Sequence, residues 1–181
     1  MKTESTVKFV LRLALTLLMI TSVVAVLLAG VNMITAPAIA ELNAKNTQAA
    51  IEAVLPGGGD LVEFPETALV SKVYASETGY AVEVTPGGFD NTITMMVGVD
   101  KSGNVLGIDV VSHTETAGLG AVADAETPAG IAFRQQFVGT SGSVSVSKDG
   151  GTIDAITGAT ITSRAICAGI NAALEVVAQM G

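Results

Sequence analysis

The chain has 181 residues, which bounds it to one domain of ordinary size with little room for a second. Hydrophobic residues make up 49% and charged residues only 14%, with no Trp, so the apolar bulk is aliphatic and must be buried; disorder is excluded. The net charge of −8 disfavours nucleic-acid binding, the single Cys167 excludes a disulfide framework or a thiolate zinc cluster, and the lone His113 argues against a metal site.

The charges divide the chain. Lys2, Lys8 and Arg12 stand against Glu4 in residues 1–12, and then Leu13 to Ala40 holds no charged residue over 28 positions. About 20 apolar residues cross about 30 Å of hydrocarbon. Leu13 to Val31 is the expected spanning core, and Asn32 and Pro37 place the rest of residues 13–40 at an outer interface. The stretch exceeds the 7–15 residues of a signal-peptide core, so a retained anchor is expected. The preceding bases put the N-terminus in the cytoplasm. From Glu41 onward the chain carries sixteen acids and six bases and is expected outside the cytoplasm.

Residues 41–60 read as a linker helix and turn. Ile51, Val54 and Leu55 recur at helical spacing in Glu41 to Leu55, and Pro56-Gly57-Gly58-Gly59 stops the run. This helix is expected to follow the membrane helix after a break at Pro37. Residues 61–181 form the remaining domain. Leu69 to Tyr74, Tyr80 to Thr85, Asn91 to Val99 and Val105 to Val111 read as strands. Glu77-Thr78-Gly79, Pro86-Gly87-Gly88 and Lys101-Ser102-Gly103-Asn104 supply the turns between them, which favours an antiparallel meander.

Thr127-Pro128 is a helix start, with Thr as cap and Pro at the first helical position, for a helix reaching about Phe137. Val144 to Val146 and Ile153 are short strand candidates flanking an Asp149-Gly150-Gly151 turn. Thr162 to Met180 closes the chain as a helix with an apolar stripe of Ile166, Ile170, Ala173, Leu174 and Val177. Cys167 lies near that stripe and reads as a buried apolar thiol rather than a nucleophile. The fold class is therefore α+β: one transmembrane helix, then a mainly antiparallel sheet with packed helices.

Two segments carry candidate chemistry. Asp154-Ala155-Ile156-Thr157-Gly158-Ala159-Thr160 places hydroxyls and a glycine turn just before the last helix. Free N–H groups at a helix start can hold a phosphate, but Thr162 or Ser163 there would equally serve as a plain cap. The other segment is His113 to Gly120. Glu115 can accept hydrogen bonds from a ring N–H or from backbone, and Gly118 and Gly120 let the chain pass close to a flat ligand. A polar loop with a structural His113 is the plainer reading.

These two segments together with the single N-terminal span resemble the G-type, FMN-binding subunit of Rnf ion-translocating electron-transport complexes. They are also similar to the homologous C-type component of the sodium-pumping NADH:quinone reductase. Asp154 followed by Thr157-Gly158-Ala159-Thr160 resembles the flavinylation signature, and His113 to Gly120 resembles an E-T-P-G-L-G loop. The resemblance implies an FMN-binding domain with covalent FMN, joined by a phosphoester to Thr160. It also implies Glu115, Thr116, Gly118, Leu119, Thr157, Gly158 and Ala159 as cofactor-binding residues. Asp154 would belong to the motif read by a flavin transferase. No catalytic residue is assigned, because the flavin supplies the chemistry.

Ala117 stands where the pattern has Pro, so the loop is expected to be less rigid. The chain lacks the insertion of the longer quinone-reductase component, which favours the Rnf type. The implied partners are the other membrane and redox subunits of a complex that moves electrons between ferredoxin and NAD and drives Na⁺ or H⁺ across the membrane. Three alternatives stand beside this at the level of sequence: the quinone-reductase component itself, a stand-alone membrane-anchored flavoprotein reductase, and a membrane-tethered scaffold without flavin.

Overall fold

The computed structural model describes residues 2–65 and 67–180, with side chains from residue 6 onward. Met1, Glu66 and Gly181 lie outside the described residues, so the extreme ends of the expected cytoplasmic segment and of the expected exported domain do too, as do the side chains of Lys2 and Glu4. The chain divides into two compact units, Met1–Ala44 and Lys45–Gly181.

Helix α1 runs from Lys2 to Val54. Its run of Leu, Ala and Met favours helix, and its few polar side chains bond within it. Thr16 donates to the Arg12 carbonyl at 2.8 Å, Thr21 to Leu17 at 3.0 Å and Thr35 to Val31 at 3.0 Å. The aliphatic side chains from Val7 to Leu42 are exposed: Leu27 is 64% accessible and Ile34 78%. The helix is long and apolar enough to cross a membrane, consistent with a single anchor.

The break expected at Pro37 is not there; α1 continues through it. Proline removes one N–H and crowds the carbonyl four residues back, at a cost of about 3 kcal/mol inside a helix. Long helical stretches on both sides, with small Ala36 and Ala38 beside the ring, hold the one defect within the helix.

Five antiparallel strands follow as a simple meander: β1 Asp60–Val62, β2 Val70–Ala75, β3 Gly79–Val84, β4 Thr94–Asp100 and β5 Val105–Ser112. Local chemistry closes the hairpins. Ser76 N–H donates to the Gly79 carbonyl at 2.9 Å, closing β2 to β3. Asp100 Oδ1 accepts the N–H groups of Ser102 and Asn104, both at 2.8 Å, closing β4 to β5. Those bonds hold the Asp100 carboxyl below its ordinary range, with the Asn104 side chain the largest cause.

The two sheet faces are covered differently. Val82, Val84, Met95, Val97 and Val99 face the larger core, which also holds Ile166, Ile170, Ala173, Leu174 and Val177. That set is the expected stripe of helix α3, Thr160–Met180. On the opposite face Ala81 and Met96 pack with Ala50, Ile51 and Val54 of α1 and with Leu55 just beyond it. A sheet covered on both faces reads as a near-continuous apolar run, which explains Met95-Met96-Val97-Gly98-Val99.

Gly98 makes the second contact possible. A Cβ there would fall 2.2 Å from the Val54 carbonyl oxygen. Helix α2, Pro128–Gln135, starts as expected, with Thr127 Oγ1 accepting the Gly130 N–H at 3.2 Å. Phe133 and Phe137 meet edge to face, centroids 5.3 Å apart.

The structure also departs from the sequence reading within the domain. Strand β1 has no sequence signal, because three residues carry no readable alternation. β4 begins at Thr94 rather than Asn91, because Asn91 O and Pro86 O accept turn bonds from Gly88 and Ile93. Val144 to Val146 and Ile153 form no strands of their own. They supply one parallel bridge, Val146 to Ile153, around a short 3-10 turn at Ser147–Asp149.

Candidate functional site

The site is assembled from three loops and the first turn of α3. Glu115 joins them. It is 8% exposed. Its Oε1 accepts the Phe89 N–H at 2.8 Å and the Asp90 N–H at 3.4 Å, tying in the loop between β3 and β4. Its Oε2 accepts the Thr162 hydroxyl at 2.5 Å, tying in α3. A buried carboxylate needs such donors, because an unpaired one would carry a large desolvation penalty. Two backbone N–H groups and one hydroxyl donate to it here.

Gly120 makes room for this arrangement. A Cβ at that position would lie 2.3 Å from Glu115 Oε2 and 2.6 Å from Thr162 Oγ1. His113 supports Glu115 from behind, its Nδ1 accepting the Glu115 N–H at 3.1 Å while Nε2 lies 3.7 Å from Asp124. That is the structural role expected of a lone histidine.

The segment before α3 is fixed from inside the helix. Ser163 Oγ accepts the Ile156 N–H at 3.0 Å and donates to the Ala159 carbonyl at 3.0 Å. Ala159 N–H closes the Thr157-Gly158 turn onto Ile156 at 2.9 Å. Neither Thr162 nor Ser163 caps the helix, which corrects that option. Both lie inside the first turn and spend their hydroxyls on Glu115 and on the preceding loop. Thr160 is the first residue of α3 and is half-buried.

Lys148 is the residue the sequence does not single out. Its Nζ donates to Thr160 Oγ1 at 3.2 Å. The 3-10 turn that carries it is held against α3 by Arg164, whose Nε and NH2 each reach the Asp149 carboxylate at 2.7 Å. The guanidinium holds the Asp149 carboxyl below its ordinary range. Nothing in the linear pattern marks Lys148. Its partner Thr160 is twelve positions further on.

A cleft of about 270 Å³ opens between these parts. Glu115, Thr116, Leu119, Gly120, Gly158, Ala159 and Thr160 line it together with Phe89, Lys148, Ile161 and Thr162. Of the candidates implied by resemblance, Glu115, Thr116, Leu119, Gly158, Ala159 and Thr160 thus converge on one cleft. Gly118, Thr157 and Asp154 do not line it. They border a second cleft with Gln136, Phe133 and Ile156. Leu119 lies over the Thr157-Gly158 turn, its Cδ2 3.0 Å from where a Gly158 Cβ would be. Phe89, Leu119 and Ile161 give the mouth an apolar rim, exposed by 66%, 42% and 50%. The cleft brings an ammonium, a helix start and a hydroxyl together with apolar side chains, a combination suited to an anionic group carried on an apolar body.

Comparison with known proteins identifies relatives of the chain. Residues 88–175 match the family model described as the FMN-binding domain. The chain is 32% identical to the G-type subunit of the Na⁺-translocating ferredoxin:NAD⁺ oxidoreductase complex of Acetobacterium woodii, over 93% of the chain and 92% of that relative. It is 41% identical to the G-type subunit of the ion-translocating oxidoreductase complex of Vibrio vulnificus over 55% of the chain and 49% of the relative, so it spans about half that protein's length. The relative of the same description from Pseudomonas aeruginosa is 33% identical over 63% of the chain and 55% of its own length.

Proposed function

The chain belongs to the family of G-type subunits of ion-translocating oxidoreductase complexes, and from that membership we propose that it carries electrons within such a complex through FMN held on Thr160 by a phosphoester. The observation that carries this reading is the placement of Thr160. Its hydroxyl opens α3, lies in the cleft and meets the Lys148 ammonium at 3.2 Å. A phosphodiester at that oxygen keeps one negative charge. The Lys148 ammonium and the positive end of a 21-residue helix would both stabilise it.

The remaining roles follow from position. Leu119, Phe89 and Ile161 would cover the apolar ring, and Glu115 would hold the cleft walls in place through its protein partners. Thr116, Gly120, Gly158 and Ala159 would approach the flavin through the cleft wall, while Gly118 and Thr157 would shape the turns beside it. Bound FMN would supply the redox chemistry; the chain supplies attachment, orientation and shielding. Its one thiol is unsuited to that role, since burial pushes the Cys167 pKa up to about 11.

The complex is read as a ferredoxin:NAD⁺ oxidoreductase coupled to Na⁺ or H⁺ movement. Its other membrane and redox subunits are the working partners, and a flavin transferase is the maturation partner. The bases before the anchor support an N-terminus in the cytoplasm and a domain from Glu41 onward outside. The test uses the full chain co-produced with a flavin transferase. Flavin fluorescence should remain with the protein on a denaturing gel and vanish in Thr160→Ala. A non-fluorescent wild-type band would refute the covalent reading.

A further inference from the structure

Gln136, at the C-terminal end of α2, grips the peptide of Asp154 in both directions. Its Oε1 accepts the Asp154 N–H at 2.7 Å, and its Nε2 donates to the Asp154 carbonyl at 3.2 Å. The two residues are brought together from separate parts of the chain. Asp154 is exposed, and its carboxylate makes no hydrogen bond or ion pair among the described residues. The Asp154 carboxylate therefore contributes no contact to holding this fold together, yet its backbone is fixed by a side chain that does little else.

Fixing one exposed residue costs backbone entropy. Two hydrogen bonds to an exposed peptide roughly offset that cost and give little surplus. The result is geometry rather than stability. The clamp sets where the Asp154 backbone stands relative to Thr160, six residues on. The segment is anchored just before Asp154 by Ile153, which is 1% exposed, and between the two residues by the Ser163 bond to Ile156. The backbone at Asp154 is thereby held in place relative to the start of α3, and the carboxylate projects from a fixed point.

From this we propose that Gln136 is a positioning residue for the modification of Thr160, presenting Asp154 to the modifying enzyme in the orientation that enzyme reads. This rests on the proposed attachment at Thr160. In that reaction the Thr160 O–H bond and a phosphoanhydride bond of a flavin dinucleotide break. A Thr160 Oγ–P bond forms to the flavin half, the adenylate half leaves as adenosine monophosphate, and the hydroxyl proton passes to solvent. No oxidant or reductant is required. Gln136 touches none of the reacting atoms; it acts through Asp154.

The experiment measures initial rates of flavin incorporation into the full-length, flavin-free chain in detergent, using a flavin transferase and flavin dinucleotide. Gln136→Leu keeps the side-chain size and loses both bonds, so the rate should fall about tenfold while the thermal midpoint stays within about 2 °C of wild type. Gln136→Glu keeps only the acceptor and should fall between the two. If the Leu variant does not fold, the Glu variant decides alone. The double variant Asp154→Ala/Gln136→Leu should react no more slowly than Asp154→Ala, because the two act as one unit. Wild-type rates in the Gln136 variants, or a full further tenfold loss in the double variant, would overturn the proposal while leaving the Thr160 reading intact. A wild-type chain that takes up no flavin at Thr160 would overturn both.

Discussion

At the scale of single residues, Glu115 has the largest structural role in the site. It gathers two backbone N–H groups and one hydroxyl from residues up to 47 positions away from it. Replacing it by Ala would orphan those donors in a buried setting, so Glu115→Ala should destabilise the domain by about 3 kcal/mol, read as a lower thermal midpoint. An unchanged midpoint would mean that water replaces the carboxylate without loss. Glu115, Leu119, Gly158 and Thr160 are legible in the sequence because they sit in recognisable short patterns. Lys148 and Phe89 sit in none, and they reach the cleft only because the Ser147–Asp149 turn and the β3–β4 loop fold over it. Gln136 is equally silent, since a glutamine at a helix end has no distinctive spacing.

At the scale of elements, the Ser147–Asp149 turn and α3 form a unit through the Asp149–Arg164 pair. The Asp149 carboxyl is held below its ordinary range by Arg164, so it is more acidic folded than unfolded. Its contribution is therefore present above the ordinary carboxylate pKa and is lost as pH falls through the lowered folded value. Asp149→Asn should lower the thermal midpoint at pH 7, with the difference from wild type closing only below the ordinary value of 3.8. A difference already gone at pH 5 would mean that the pair does not lower the carboxyl. Elements are more legible than contacts. The four longer strands and both domain helices follow from alternation, turns and capping, whereas β1 is too short to show a period and Pro37 suggests a break that long flanking helix overrides.

At the scale of the molecule, charge divides the sequence near residue 40, and the structure divides the chain after Ala44. The apolar side chains of α1 before Ala44 are bare, while the domain from Lys45 onward is packed on both faces of its sheet. What no linear pattern displays is that the last residues of α1 belong to the domain, seated on β4 where Gly98 leaves room. On the orientation proposed above, protease added to the outer side of intact cells, after removal of any outer barrier, should digest the chain after Glu41. Protection of that part with loss of the N-terminus would reverse the topology.

The role proposed for the cleft depends above all on the bond at Thr160. Trypsin cutting after Lys148 and Arg164 releases the peptide Asp149–Arg164, which carries the hydroxyls of Thr152, Thr157, Thr160, Thr162 and Ser163. In protein made with a flavin transferase, fragmentation of that peptide should place one FMN less one water on Thr160. An unmodified peptide, or the same mass on any other of those hydroxyls, would contradict the assignment.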